Sequence, residues 1–263
     1  MTQPPPAADL PEDWFLGVRL AMLGMEEAAL RIAARPAAAP FAYVVTPNAQ
    51  HVVRLDRGDP AFVRGYATAW MRLCDSQIMR LVARVLFGRR LPLAAGSDLT
   101  LHLLQRYIGP DDPVTVIGGN GELAARLRDR YGLRRLALYE PPMGFYRSPA
   151  EIERCVRFVL DHPARYVFLA VGAPQSEDLA ATIARAGQAT GVGLCIGSSL
   201  HFATGMVARA PGPFRRLGLE WLYRLGQNPR RHARRVFVES LPLLAIAVRH
   251  RLGTPAPRPA ERP

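Results

Sequence analysis

Between residues 15 and 197, short apolar runs alternate with longer stretches in which apolar positions return every three or four residues. Short runs suit strands, periodic stretches suit helices, and their alternation predicts a parallel sheet with helices on its faces. Strands are predicted at 15–20, 41–46, 71–75, 114–118, 135–139, 166–171 and 193–197. In open parallel sheets ligands collect beyond the carboxyl ends of the strands. The residues to read for chemistry are therefore those that follow the runs: Thr46-Pro47-Asn48, Asp75-Ser76, Gly118-Gly119-Asn120-Gly121, Glu140, Gly172-Ala173-Pro174-Gln175 and Gly197-Ser198-Ser199.

Past Gly205 the pattern changes. Leu217, Trp221, Leu222 and Leu225 share one helical face, with Arg216 and Arg224 at its margins, and Pro229 ends that helix. A second helix is predicted from near Arg230, with Ala233, Val236 and Phe237 opposite Arg231, Arg234 and Arg235. Residues 1–12 and 253–263 are rich in proline and poor in large apolar groups, which predicts loose tails. The expected fold is α/β: a Rossmann-like parallel sheet flanked by helices over residues 13–208, with a helical, Arg-rich C-terminal appendage over 209–252.

At 263 residues the chain can bury a full α/β core, and 49% apolar with 21% charged residues suits a folded protein. Its formal charge of +12 points to a polyanionic partner: nucleic acid, an anionic bilayer or a phosphate-bearing substrate. All 34 basic residues are Arg, a bias that covers the whole chain and so fits GC-rich coding better than selection for phosphate binding. The charge itself is concentrated, since residues 209–251 hold ten Arg against Glu220 and Glu239 and carry +8 of the total. Cys74, Cys155 and Cys195 match no metal or redox spacing and are expected to be reduced and buried in a cytosolic protein. No basic residue precedes Arg19, so a signal peptide is not expected. The late apolar run 241–248 is shorter than the roughly 20 residues of a spanning helix.

The loop Gly119-Asn120-Gly121-Glu122-Leu123-Ala124 matches G-x-G-x-x-A between a predicted strand and a predicted helix at 122–131. Glycines there let the backbone approach a diphosphate, and the helix start offers N–H groups and partial positive charge. Glu140 follows Gly119 by 21 residues, where a ribose-binding carboxylate sits in dinucleotide enzymes. The same glycines would serve a tight strand-to-helix turn, and the pattern does not separate NAD from UDP. Asp75 closes a largely apolar run. A partly desolvated carboxylate there suits a general base for a sugar hydroxyl, and capping of the helix that follows is the alternative. Thr46 and Asn48 are likewise either turn formers or hydrogen-bonding groups for a substrate. The six histidines make no H-x-x-x-H or H-E-x-x-H pattern, and Gly197-Ser198-Ser199 makes no G-x-S-x-G elbow, which argues against zinc and acyl-enzyme chemistry. The Arg-rich end admits a helix face packed on the core, a nucleic-acid patch or an interfacial segment. The interleaving of Trp221, Leu222, Tyr223 and Phe237 with arginine favours the last.

Taken in order, Thr46-Pro47-Asn48, Asp75, Gly96-Ser97-Asp98-Leu99, Gly118-Gly119, Gly144-Phe145-Tyr146, Val171-Gly172-Ala173-Pro174 with Glu177, Arg209-Ala210-Pro211, Gly218-Leu219-Glu220-Trp221-Leu222-Tyr223-Arg224-Leu225 and Pro229-Arg230 resemble the WecG/TagA/CpsF glycosyltransferases. The resemblance implies an inverting enzyme without metal or other cofactor. It would move a sugar from a UDP-sugar to an undecaprenyl-diphosphate-linked acceptor in bacterial surface-polysaccharide assembly, at the cytoplasmic face of the plasma membrane. It also implies Asp75 as the base, Thr46 in the active site and the C-terminal arginines at an anionic membrane surface. With the residues read above, the expected site comprises catalytic Asp75 and Thr46 and substrate-binding Asn48, Gly118, Gly119, Gly121, Glu140, Gln175 and Glu177. Arg209, Arg224, Arg230 and Arg231 are expected to meet the charge of the leaving group. No nucleic-acid partner is expected, and whether the chain forms a homo-oligomer stays open. The chain departs from the family pattern at Asp75-Ser76 for D-G, Pro174-Gln175-Ser176-Glu177 for P-x-Q-E and Leu200-His201-Phe202 for F-D-F. Two readings of other classes remain: an NAD(P)-dependent oxidoreductase, from the glycine loop and Glu140, and a basic nucleic-acid-binding module, from the charge.

Overall fold

The computed structural model describes residues 10–208 and 241–253. The described chain opens with an antiparallel hairpin, β1 (Glu12–Phe15) and β2 (Val18–Ala21), which forms a sheet of its own. This corrects the expectation of a single parallel strand over 15–20. Leu16 and Gly17, at φ of 49° and 78°, make the two-residue turn, and left-handed backbone at both positions matches the twist of a tight hairpin. The hairpin also begins within the stretch expected as a tail: Glu12 is in β1, and Leu10 packs against the core.

Six parallel strands then form the main sheet: β3 (Ala42–Val45), β4 (Met71–Arg72), β5 (Val114–Ile117), β6 (Leu136–Tyr139), β7 (Tyr166–Leu169) and β8 (Val192–Cys195), in the order β4-β3-β8-β7-β5-β6. The central strands β5, β7 and β8 are buried at every position, as strands covered on both faces must be. Alternation within each strand divides the core. Val44, Val116, Phe168 and Leu194 face α1 (Met25–Ala34), α5 (Gly96–Arg106), α6 (Gly121–Tyr131) and α9 (Ser199–Ala203). Tyr43, Val45, Val167 and Leu169 face α3 (Pro60–Ala67), α7 (Pro149–Asp161) and α8 (Gln175–Ala186). A third cluster lies beside the hairpin, where Phe15, Val18 and Leu20 meet α2 (Ala49–Asp56), α4 (Gln77–Phe87) and α10 (Pro242–Arg251).

The chain leaves β3 and β7 toward the face of α3 and α8, and leaves β8 and β5 toward the face of α9 and α6. At the neighbouring pairs β3/β8, β8/β7 and β7/β5 it therefore departs to opposite faces, the arrangement that opens ligand crevices at the carboxyl edge of a sheet. Pro242, placed at the first turn of α10, needs no backbone donor there, so the apolar run 241–248 folds as a helix of 10 residues. Among the described residues no helix is long and apolar enough to cross a membrane. The helices expected between Arg209 and Phe237 lie outside the described residues, as do residues 1–9 and 254–263. Cys74, Cys155 and Cys195 are free and buried, as expected, and burial pushes the Cys74 and Cys155 thiols up to about 12 and about 11.

Candidate active site

Thr46 follows β3 and Asp75 lies just past β4, and the pairing of these strands continues beyond their ends. The Leu73 N–H donates to Val45 O and the Asp75 N–H to Pro47 O, both at 2.9 Å, so the two loops run side by side. Gly96 at the start of α5 completes the group: its N–H donates to Asp75 Oδ2 at 3.2 Å. A side chain at Gly96 would meet Thr46 Oγ1 at 3.0 Å and Asp75 Oδ2 at 3.5 Å, so hydroxyl and carboxylate converge on one glycine. Thr46 is buried and Asp75 half-buried. The partial positive charge of the α5 start lies beside the carboxylate. Gly96, although part of the resembling pattern, is not among the expected site residues. The signal was a turn-like Gly96-Ser97-Asp98 leading into a helix.

The capping alternatives divide cleanly. Asn48 Oδ1 accepts from the N–H groups of Gln50 and His51 at 3.0 and 3.2 Å, so that oxygen caps α2. Asp75 does not cap α4, because Ser76 does so through Oγ, which accepts from the Met79 N–H at 3.2 Å. The residue that replaces the family's glycine thus has a structural task. Behind these loops the His51 ring and the Tyr66 hydroxyl form a buried 2.8 Å hydrogen bond. Burial holds the Tyr66 phenol well above its ordinary value, and the charges of Glu177 and Asp75 add to that rise.

The glycine loop stands at the other crevice. Gly118, at φ of 103°, faces the Ala170 backbone beyond β7, where a side chain would come within 2.8 Å. Gly119, at φ of 79°, faces Leu123 of α6, and Asn120 caps that helix by accepting from the Leu123 N–H at 3.0 Å. Gly121 is exposed, with nothing near the position of a side chain. Glu140 follows the edge strand β6 and is exposed. Gly118 and Gly119 are accounted for by close packing, and Thr46 and Asp75 belong to the β3/β4 end of the edge rather than to this turn.

Gln175 and Glu177, nominated together, point to different places. Gln175 lines a cavity of about 190 Å³ with Arg64, Phe145, Tyr146, Pro174 and Asp178, and Arg64 and Asp178 form a 2.9 Å ion pair there. Glu177 is only 2% exposed and sits where α8 crosses α3. Gly65 permits that crossing, since a side chain on it would meet Glu177 Cβ at 2.6 Å. Burial pushes the Glu177 carboxyl up to about 8. Between them, Ser176 Oγ donates to Leu169 O at 2.9 Å and fastens the start of α8 to the end of β7. Arg209, Arg224, Arg230 and Arg231 lie outside the described residues.

Six parallel strands flanked by helices, with Thr46, Asp75 and Gly96 drawn together at the carboxyl edge, define an α/β protein with a Rossmann-like sheet. The glycosyl transferase WecG/TagA/CpsF family model matches residues 14–257, and the chain belongs to that family. It is thus a glycosyltransferase, with a sugar donor and an acceptor, and membership decides against the oxidoreductase and nucleic-acid-module readings.

Proposed function

We propose that the protein transfers a sugar, with inversion at the anomeric carbon, from a UDP-sugar to a sugar on a polyprenyl diphosphate at an anionic membrane surface. Asp75 beside Thr46 carries this reading. Asp75 Oδ2 takes the proton of the acceptor hydroxyl as its oxygen attacks C1 of the donor, and UDP leaves from the opposite face. Thr46 Oγ1, next to the carboxylate, orients that hydroxyl. The Gly96 N–H and the start of α5 hold the carboxylate in place, and the absence of a side chain at Gly96 keeps room beside the pair.

The donor diphosphate is assigned to the crevice between β5 and β7. Support comes from the start of α6, where Gly121 leaves the first turn open, because helix starts are good anion sites. Arg209, Arg224, Arg230 and Arg231 are proposed to offset the charge of the departing UDP. The deciding experiment incubates the protein with a panel of UDP-sugars and short-chain polyprenyl-diphosphate acceptors and weighs the products. Transfer from one UDP-sugar, lost in Asp75→Asn, is expected. Transfer that persists at a near-normal rate in that variant would remove Asp75 from the mechanism.

A further inference from the structure

A helix on the surface of a globular domain normally buries an apolar stripe and turns polar residues outward. Helices α4 and α10 bury such a stripe but also carry large apolar side chains outward. Met79, Val82 and Ala83 of α4 and Leu243, Ile246 and Ala247 of α10 fill the cluster beside the hairpin. The outward sides hold apolar residues as well. On α4, Leu81 and Val85 are one turn apart and 61% and 69% exposed, and on α10, Leu244 and Val248 are one turn apart and 45% and 49% exposed. Leu241 and Leu252 extend the α10 stripe at both ends. The two helices pack against each other, so both stripes turn away from one shared core.

The charge beside these stripes has one sign. Exposed Arg80 and Arg84 flank Leu81 and Val85, and exposed Arg251 ends α10, while Arg249 is ion-paired with Asp56. Neither helix contains an acidic residue. A second copy of the chain laid on this face would set arginine against arginine. An anionic bilayer supplies what the face lacks, with phosphates for the arginines and an acyl boundary for the leucines and valines.

The position of the face fits this partner. Ser76 caps α4 directly after Asp75, so Leu81 and Val85 lie only about 8 and 14 Å along the helix axis from that cap. The ion pair of Arg249 with Asp56 ties α10 to α2, which begins just after Thr46. We propose that α4 and α10 together form the face on which the enzyme rests on an anionic phospholipid bilayer. Leu81 and Val85 enter the interface beside Leu244 and Val248, and this sets the height of Asp75 above the lipid. The proposal rests on the membrane reading above and adds to it a surface within the core domain, supplied by α4.

The test uses the full chain and vesicles of phosphatidylcholine with and without phosphatidylglycerol. The native cysteines are buried, so Leu81→Cys can be labelled selectively with an environment-sensitive dye. Ala125→Cys on exposed α6, in the helix that joins β5 to β6 at the far end of the sheet, is the reference. Anionic vesicles should shift the dye at 81 to the blue and leave the dye at 125 unchanged. The double variant Leu81→Ser, Val85→Ser should lose roughly tenfold or more in vesicle affinity, with the melting temperature and transfer to a short-chain soluble acceptor preserved. If the native chain binds anionic vesicles while the dye at 81 stays unshifted and the double variant binds equally well, this face is not the contact, although the membrane reading survives. Failure of the native chain to bind any vesicle removes both. A native dimer that the double variant converts to a monomer, without lipid, would make the face a self-interface and overturn the proposal.

Discussion

At the β5 turn, three conspicuous residues have packing or capping tasks: Gly118 passes under the Ala170 backbone, Gly119 gives way to Leu123, and Asn120 caps α6. At the β3/β4 edge the local tasks go to others. Asn48 caps α2 and Ser76 caps α4, while Thr46 and Asp75 meet across two strands over the bare Cα of Gly96. In the glycine loop, Gly118 and Gly119 answer to steric demands and only Gly121 leaves open the helix start proposed for the diphosphate, whereas the proposed pair of Thr46 and Asp75 fits no local pattern and becomes visible only when two loops are laid side by side.

The contrast can be broken most directly at Asp75. Asp75→Asn should lower turnover by about a thousandfold, within the range for loss of a general base, and leave the melting temperature near native. Single-turnover assays with the donor saturating would read this, and a small loss would return Asp75 to the class of structural carboxylates. Gly118→Ala should do the reverse. Its methyl would press on a strand backbone from a left-handed conformation, at a cost of about 3 kcal/mol, seen as a lower denaturant midpoint. Donor KM of the folded fraction should hold, and a large rise in that KM would show that the glycine serves the ligand as well as the turn.

Glu177 sharpens the comparison, being a carboxyl near the site yet enclosed by packing. Its folded value of about 8 lies above the ordinary 4.5, so the folded protein holds a proton that the unfolded chain has released. The native protein should therefore lose stability relative to Glu177→Gln as pH rises from about 5 to 8, by at most about 1 kcal/mol per pH unit, and level off above 8. Melting temperatures of both proteins across that range check the sign, and parallel curves would mean that Glu177 has an ionised partner. The smallest effects belong to the caps. Asn120→Ala and Ser76→Ala should each cost about 1 kcal/mol, and Asn120→Ala, at the helix start proposed for the donor diphosphate, should leave turnover at saturating donor unchanged. Ser76→Ala may be read against it by the same turnover assay, where a drop larger than tenfold would reveal that the α4 cap also positions Asp75.

Sequence patterning alone determined that this chain forms a parallel α/β sheet, because buried strands must be apolar throughout and helices must repeat every three to four residues. Six of the seven predicted strands lie in that sheet. The exception, 15–20, is an apolar run that periodicity could not distinguish from a buried strand, and its Leu16-Gly17 turn needs left-handed backbone at a leucine, which sequence does not advertise. Candidate residues were legible as types at strand ends, but their tasks were not. The separation of Gln175, on a cavity wall, from Glu177, closed between two helices, follows from helical rotation and from the absence of a side chain at Gly65 on a different helix. Likewise, that Asp75 does not cap α4 but accepts from the Gly96 N–H became visible only with the helix that starts 21 residues further on. Periodicity records whether a residue is to be buried; only the tertiary structure decides what it is buried against, because contacts between residues far apart in the chain leave no mark in local order.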